Sequence, residues 1–534
     1  MERNHDQIAH EDNKDEYTQD STEKPTNVDR KGSELDSGET NADQATTDPS
    51  NNVYTAFSTA EKRGIIFLIA VAGFFSPFTA FIYFPALESI AADLNVSIQL
   101  INITITMYLV VQGIIPSIFG NLADVIGRRP IYLLAFSIYL CASLGLAFQR
   151  SYALLLVLRM LQSAGSSGTI TLAYGVIADI APPRQRGGYV GIAHVGFNSA
   201  PSLGPIIGGI VSDKLGWRWV FRLLCILSGV WLAVLFAFLP ETGRRIVGNG
   251  SIPARGIHKP LLQHLSSKKN KSNDTDYLQG RSKRSLSGLV NPLRSIRMIF
   301  HKIEALVLFS NAVFYMQYSC VQASLSTLFT RIYGLNEMQV GLSYLAFGIA
   351  CAIASYGVGR ITDRDYRITA AAYGFTTDGA NGEVLSSFPL EKARLRAVWY
   401  YIAISSASTL GYGWALQEKA HLAVPLVLQA LIGLTVTGIF NVLNTLMVDL
   451  HSEDSATASA AVSITRCGVA AVGVSVLQIL FDHIGVGWTF TIIGGLCFAT
   501  VPLLLVERSR GMRWRQTRQA RRENAENLHS SRQS

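Results

Sequence analysis

The feature that most constrains this chain is a repeated pattern between residues 64 and 506. Runs of about 20 mainly apolar residues alternate with short polar connections. A helix needs about 20 apolar residues to cross the ~30 Å hydrocarbon core of a bilayer. Only 16% of the residues are charged, against roughly 25% in soluble proteins. The pattern excludes a soluble globular protein and predicts a polytopic membrane protein built from helices.

The apolar runs predict an all-α fold of twelve transmembrane helices in two six-helix halves. The predicted spans are 64–86, 101–122, 130–148, 153–178, 188–212, 217–239, 303–329, 339–359, 397–417, 423–448, 457–481 and 486–506. The predicted regions are a disordered acidic tail at 1–60, an N-terminal half at 61–239, a basic loop at 240–302, a C-terminal half at 303–506 and a basic tail at 507–534.

The positions of Lys and Arg predict the orientation in the membrane. With twelve spans, both tails share one side with the loops after even-numbered spans, and 38 of the 46 Lys and Arg residues fall on that side. Because basic residues concentrate in cytoplasmic loops, we expect both tails to be cytoplasmic. Asn95-Val96-Ser97 then lies in the first outer loop and matches the N-glycosylation pattern.

The composition narrows the possible functions. The net charge of +8 is explained by loop residues that set topology, so nucleic acid is not an expected partner. No metal site, cofactor or enzymatic activity is expected, because the histidines of the basic loop lack ligand spacing. All six cysteines fall in apolar runs and are expected to be packing residues: Cys141, Cys225, Cys320, Cys351, Cys467 and Cys497.

A short internal repeat supports the division into two halves. The second span is followed by Gly120, Asp124 and Arg128 at steps of four, with Gly127 and Arg129 beside the last. The eighth span is followed by Gly359, Asp363 and Arg367 at the same steps. The equal placement predicts a duplicated six-helix unit, which is a known plan for transporters.

Several polar residues lie within the predicted spans. Arg159 and Arg466 are costly in hydrocarbon and are expected to face a cavity or a partner. His194 titrates near neutrality when unperturbed. Deep carboxylates are missing from the spans, so the proton carrier would be His194, Glu88 or Asp124. Further candidates for a cavity lining, which serve equally well as polar contacts between helices, are Tyr83, Asn198, Gln317, Tyr318, Asn441 and Asn444.

Three motifs resemble those of the major facilitator superfamily. The stretch from Gly120 to Arg129 resembles its signature loop, and the stretch around Arg159 and Gln162 resembles its helix 4 motif. In the fifth span, Gly204-Pro205-Ile-Ile-Gly208-Gly209 resembles the antiporter motif, although Ala200 stands where the family favours Gly. With Pro240-Glu241-Thr242 after the sixth span, the chain is similar to fungal twelve-helix drug:proton antiporters of the quinidine-resistance type and to citrate and itaconate exporters.

The resemblance implies a monomeric secondary transporter in the plasma membrane or, alternatively, the vacuolar membrane. Its expected partners are the bilayer, a proton gradient and a small organic substrate, either a drug or secondary metabolite or, alternatively, a small carboxylate. The signature loop would form a cytoplasmic latch in which Asp124 lies against the N-terminal end of helix 11. Arg159 and Gln162 would couple protons, and both arginines would suit an anion.

The first prediction concerns topology. Antibody epitopes at residue 2 and in the 240–302 loop should be reached only after the plasma membrane is permeabilised, because the basic residues hold both on the cytoplasmic side. Asn249-Gly-Ser and Asn273-Asp-Thr are built-in reporters. A glycan on either in intact cells would reverse the predicted orientation.

Overall fold

The fold is described by a computed structural model covering residues 54–254, 256–261, 298–300, 302–374, 388–450 and 455–530. Most of the acidic tail and of the basic loop therefore lies outside the described residues. Every long regular element in the described ranges is a helix. The twelve longest, labelled here in chain order, are α1 Thr59–Phe81, α2 Ile98–Ile126, α3 Arg128–Phe148, α4 Tyr152–Ile180, α5 Pro183–Leu215, α6 Arg218–Phe238, α7 Lys302–Tyr333, α8 Glu337–Ala372, α9 Val398–Gln417, α10 Ala423–Leu450, α11 Ser455–Phe498 and α12 Thr500–Ser530.

These helices cover most of the predicted spans, with four differences. Helix α1 ends at Phe81, short of the predicted end at 86, and a short 3-10 helix follows at Phe84–Ala86. The twelfth predicted span, 486–506, is divided between the end of α11 and the start of α12. Helix α8 continues to Ala372, well beyond the predicted end at 359. Helix α11 runs to Phe498, but Gly485 breaks its path with φ +82°, so the backbone turns at the predicted gap between the last two spans. A positive φ is readily adopted only by glycine, which explains why the turn falls at this residue.

Seven helical stretches are long and apolar enough to cross a membrane by length and composition. Helices α4, α5, α7 and α9 are not among them. Their sequences carry many Ser, Thr, Asn, Gln and Gly residues. In α4, for example, the buried residues include Arg159, Gln162 and Ser163. Polar residues that face the interior of a bundle lower the apparent apolar character of a helix without exposing polar groups to lipid.

Three hydrophobic cores show how the helices are joined. One core lies wholly in the N-terminal helices around Phe75, Phe136 and Leu172. A second lies wholly in the C-terminal segment around Phe314, Val398 and Leu443. The third and largest contains residues from both sets of helices. It includes Phe84 of the segment after α1, whose ring lies 6.1 Å from and nearly parallel to the ring of Tyr344 in α8.

The shared core lies toward one end of the bundle. Its contacts between the two sets of helices include Gln99 Nε2, which donates to the Ser475 carbonyl at 2.8 Å, and the Arg331–Glu88 ion pair at 3.0 Å. Both contacts lie at the ends that the charge pattern assigns to the outside. Toward the opposite ends the two sets of helices have separate cores, so the halves are joined at one side and divided at the other.

Glu241 holds together the inner ends of α3 and α6. Its buried carboxylate accepts backbone N–H groups of Arg128 at 2.8 Å and Arg129 at 3.3 Å, which are the first residues of α3. It also accepts the N–H groups of Thr242 and Gly243 and lies 2.9 Å from His258 Nδ1. A carboxylate at the positive end of a helix dipole is stabilising.

Arg129 joins the same two helices in the opposite direction, from the start of α3 to the end of α6. Its guanidinium donates to the carbonyls of Phe236 and Leu239 at the end of α6, at 2.6 and 2.8 Å, where the dipole is negative. Gly127 adjoins this arrangement with φ +115°, and a Cβ there would collide with the Glu241 carboxylate. The Gly-Arg-Arg sequence of the signature loop and the distant Glu241 are therefore parts of one packing unit.

The second prediction follows from this unit. Glu241→Gln replaces one acceptor oxygen by a donor and leaves buried N–H groups without a partner, at a cost of roughly 1–3 kcal/mol each. The thermal unfolding midpoint of the detergent-purified protein should fall. Glu61→Gln is the control, because Glu61 caps α1 from an exposed position. Equal midpoints for the two variants would contradict the role assigned to Glu241.

Candidate functional site

Arg159 is fully buried within the N-terminal helices. Its guanidinium carbon lies 4.1 Å from the ring centre of Tyr83 and 4.5 Å from that of Tyr108. Its Nη1 donates to Gln162 Oε1 at 2.8 Å, and Gln162 Nε2 donates to Ser143 Oγ at 3.0 Å. With 1% exposure, Arg159 does not extend to the outer surface. The structure thus brings Arg159, Gln162 and Tyr83 together. The arginine makes a hydrogen bond to Gln162 and a cation–π contact with Tyr83, both in a site shielded from solvent.

Arg466 occupies a more open position on α11. Its guanidinium carbon lies 4.5 Å from the ring centre of Tyr315 in α7, and its Nε is buried without a hydrogen-bond partner. The side chain is only half-buried. Arg159 likewise has a buried Nε without a hydrogen-bond partner, so the two arginines differ in exposure and in their neighbours: Gln162 accepts a hydrogen bond from Arg159, and the Cys467 thiol accepts one from Arg466.

An aromatic cluster adjoins Arg466. The Tyr315 and Tyr318 rings stack at 5.6 Å, and the Phe440 ring lies 5.9 Å from Tyr315 and 6.2 Å from Tyr318. Phe347 in α8 and Phe81 in α1 approach Tyr318 at 5.3 and 6.0 Å. These five residues, called here the aromatic box, combine an apolar wall with contributions from both halves.

Charge is unbalanced around these arginines. In the described residues, no ion pair involves either guanidinium, and the nearby groups that carry or can carry negative charge are tyrosines and Cys467. An unpaired cation in a low-dielectric site attracts any anion that enters it more strongly than it would in water. The arrangement can therefore bind a carboxylate beside an apolar surface.

The remaining polar candidates divide into two groups. Gln317 is fully buried and donates to Ser405 Oγ at 2.9 Å, and Asn311 donates to Asn444 Oδ1 at 3.0 Å, so these residues join helices of the C-terminal half. Asn441 is half-buried, and its carbonyl accepts from Thr445. Asn198, by contrast, donates to Ser355 Oγ at 3.3 Å across the two halves.

His194 lies on the open side of the bundle. The ring is exposed, and its Nε2 lies 2.9 Å from the Tyr174 hydroxyl of α4. The Phe197 ring is 5.8 Å away. The role of His194 as a proton carrier stays a prediction.

The antiporter motif presents glycines to two different neighbours. Gly204 and Gly208 face α1, where added Cβ atoms would press on Phe81 and collide with the Ile82 carbonyl. Gly209 faces α8, where a Cβ would collide with the Glu337 carbonyl. In return, a Cβ on Gly341 of α8 would collide with the Pro205 carbonyl. Helices without side chains at these points can approach to backbone contact.

The signature loop forms contacts within its own half. Arg128 pairs with Asp124 at 2.7 Å and with Asp179 of α4 at 3.0 Å. Asp124 remains half-exposed, and a Cβ on Gly120 would meet only Thr171 of α4. The side chains at the start of α11, residues 455–457, lie outside the described part, so the contact of Asp124 with the start of helix 11 stays a prediction. In the second copy, the side chain of Asp363 lies outside the described part, and Arg367 is exposed.

The structure adds buried carboxylates that the sequence did not reveal. Glu391 and Glu507 lie at the inner end of the C-terminal half, both beside Gly511, with Arg515 3.5 Å from Glu391. Burial raises the pKa of Glu391, against the opposing effect of Arg515. The two acids lie at helix ends, far apart in sequence, so only the fold brings them together.

Comparison with known proteins decides the family. The family model described as "Major Facilitator Superfamily" matches residues 69–417. The chain belongs to the major facilitator superfamily. It is therefore a membrane transporter of small molecules.

Named relatives within the superfamily are fungal. The chain is 38% identical over 462 residues to "MFS-type transporter phiD" of Fungal sp. (strain ATCC 74256), covering 86% of this chain and 70% of that protein. It is 35% identical over 483 residues to "Citrate exporter 1" of Aspergillus niger, covering 90% and 91%.

Solved structures share the superfamily fold. The "human organic anion transporter MFSD10 (TETRAN)" matches with TM-score 0.54 at 17% identity, covering 84% of this chain and all of that one. The xylose transporter XylE from E. coli matches with TM-score 0.58 at 13% identity, covering 84% and 97%. At these identities the likeness shows the fold alone.

The third prediction concerns the superfamily latch. Asp124→Asn should leave the melting midpoint nearly unchanged, because partly exposed ion pairs contribute at most about 1 kcal/mol. It should still impair transport, since the lost attraction to the start of helix 11 is worth up to ~2 kcal/mol, or about thirtyfold in a two-state equilibrium. Efflux from cells at matched surface expression is the measurement. Unimpaired efflux would contradict the latch.

Proposed function

We propose that the protein exports a small organic anion with an apolar body, in exchange for protons, by alternating access of two six-helix halves. The observation that carries the proposal is Arg466, a half-buried guanidinium with an unpartnered Nε and no described carboxylate paired to it, beside the aromatic box. A secondary metabolite that bears a carboxylate fits both surfaces. Citrate or itaconate fits the guanidinium of Arg466 but not the aromatic box.

The arrangement of the cores supports alternating access. The halves share a core toward the predicted outer ends and have separate cores toward the predicted inner ends. Such a molecule is open to the cytoplasm and closed to the outside. In this proposal all twelve predicted spans cross the membrane, both tails are cytoplasmic, and one chain suffices for transport at the plasma membrane.

The relatives support export. "Citrate exporter 1" is matched along nearly its whole length, and the antiporter motif is present on α5. Proton exchange is assigned to the N-terminal half, where Arg159 is enclosed and His194 is exposed on the open side. Separate positions for proton and cargo let the two bind in different states, as exchange requires.

A neutral or cationic drug is the competing cargo. The faces of Tyr318 and Phe440 would suit it, because aromatic rings attract cations. The unpaired charge of Arg466 opposes a cation in the same space, and this opposition favours the anionic cargo.

The fourth prediction tests the cargo class. Arg466→Lys keeps the charge but loses the planar pair of donors that matches a carboxylate, so export of citrate, itaconate or an aryl carboxylate should fall by tenfold or more. Arg222→Lys is the matched control, an arginine stacked on Trp219 away from the aromatic box. Export is measured at matched surface expression. Drug efflux that survives in Arg466→Lys, with no anion export by the wild type, would overturn the proposal.

A further inference from the structure

Glu337 lies at the contact that closes the predicted outer side. It is the first residue of α8. Its Oε1 accepts a hydrogen bond from Ser89 in the short helix Leu87–Asp93, and its backbone carbonyl fills the space that a side chain on Gly209 would need. Side chain and backbone of one residue therefore both rest on the opposite half.

The carboxyl group is poorly supported in this position. Its Oε2 is buried beside the Ser212 hydroxyl, a neutral donor, and no described cation pairs with either carboxylate oxygen. Asp213 in α5 is a nearby like charge, although Lys214 lies 3.1 Å from it. The other described charges of this region are paired with each other, Glu88 with Arg331 and Asp93 with Arg218.

The energetic balance depends on the proton. A partly buried carboxylate without a counter-ion has a larger desolvation cost than a protonated carboxyl, which is a neutral polar group. The N-terminus of α8 offsets only part of the cost of the charged form. Closing the contact is therefore easier when Glu337 carries a proton.

We propose that Glu337 is a proton-sensitive gate residue, which takes up one proton from the outer solution as the outer side closes and returns it when that side opens. The inference rests on alternating access as proposed above and adds to it a control by external pH. Acid outside stabilises the outward-closed state, and alkali stabilises the outward-open state. The proton stays on the outer side throughout, so this site is separate from the exchange of protons for cargo.

The experiment measures outer opening directly. Ser326 is fully buried in the shared core, with its hydroxyl 3.5 Å from the Pro85 carbonyl of the other half. A Ser326→Cys reporter is reached by a membrane-impermeant maleimide from outside only when the outer side opens. Its labelling rate in intact cells is measured from pH 5 to 8 and divided by the rate of an Ala92→Cys reporter, which is exposed. The ratio removes the pH dependence of thiol reactivity, and the parent without either reporter gives the background.

The expected ratio rises with pH, with a slope of at most about tenfold per unit because one proton is linked. Adding Glu337→Gln should hold the ratio low and flat. Adding Asp93→Asn, another outer carboxylate, should preserve the rise. A rise that persists in Glu337→Gln, or that Asp93→Asn also abolishes, overturns the assignment.

Two further outcomes separate this inference from the proposed function. A flat wild-type ratio with normal, Arg466-dependent anion export overturns the gate assignment and leaves the proposed function standing. Labelling of Ser326→Cys that never exceeds the background at any pH, together with absent anion export, counts against alternating access itself and against the gate with it.

Discussion

The backbone contact between α5 and α8 is the constraint on which the rest of the arrangement depends. Gly209 and Gly341 let each helix meet a carbonyl of the other, with the carbonyls of Glu337 and Pro205 in the places of side chains. Contacts this close leave no room for a side chain at either position, so a substitution there would force the two helices apart. In the proposed function, this contact closes the outer side and is the element that must separate in alternating access.

The two arginines show how the same residue serves different purposes in different surroundings. Arg159 is held between two tyrosine rings with Gln162 as a partner, so its geometry is fixed before any ligand arrives. Arg466 is stacked on one ring and is only half-buried. Both arginines keep a buried Nε without a hydrogen-bond partner, which is costly, but only Arg466 is open enough for an entering carboxylate to remove that cost. In the proposed function, Arg466 therefore serves recognition and Arg159 serves coupling.

Sequence alone predicted the helices well, because each apolar run is a local signal. Helix α3 at 128–148 covers the predicted span 130–148, and α9 at 398–417 matches 397–417 closely. The motifs could be read from the sequence, since their spacing is local, but their roles stay predictions. The stacking of Tyr108 on Arg159, the facing of Gly341 with Gly209 and the half-buried position of Glu337 at the contact between the halves were missed. Each depends on contacts between helices, which periodicity does not encode.

Ligand binding by the purified protein tests the central claim most directly. In the proposed function, the guanidinium of Arg466, which has no described carboxylate partner, selects an anionic group while the aromatic box accepts an apolar body. Calorimetric titration with an aryl carboxylic acid and with its methyl ester compares the affinities of two ligands that have nearly the same shape but differ in charge. The account predicts that the acid binds at least about tenfold more tightly, equivalent to 1.4 kcal/mol, and that this difference disappears in Arg466→Gln. An ester that binds the wild type as tightly as the acid would contradict it.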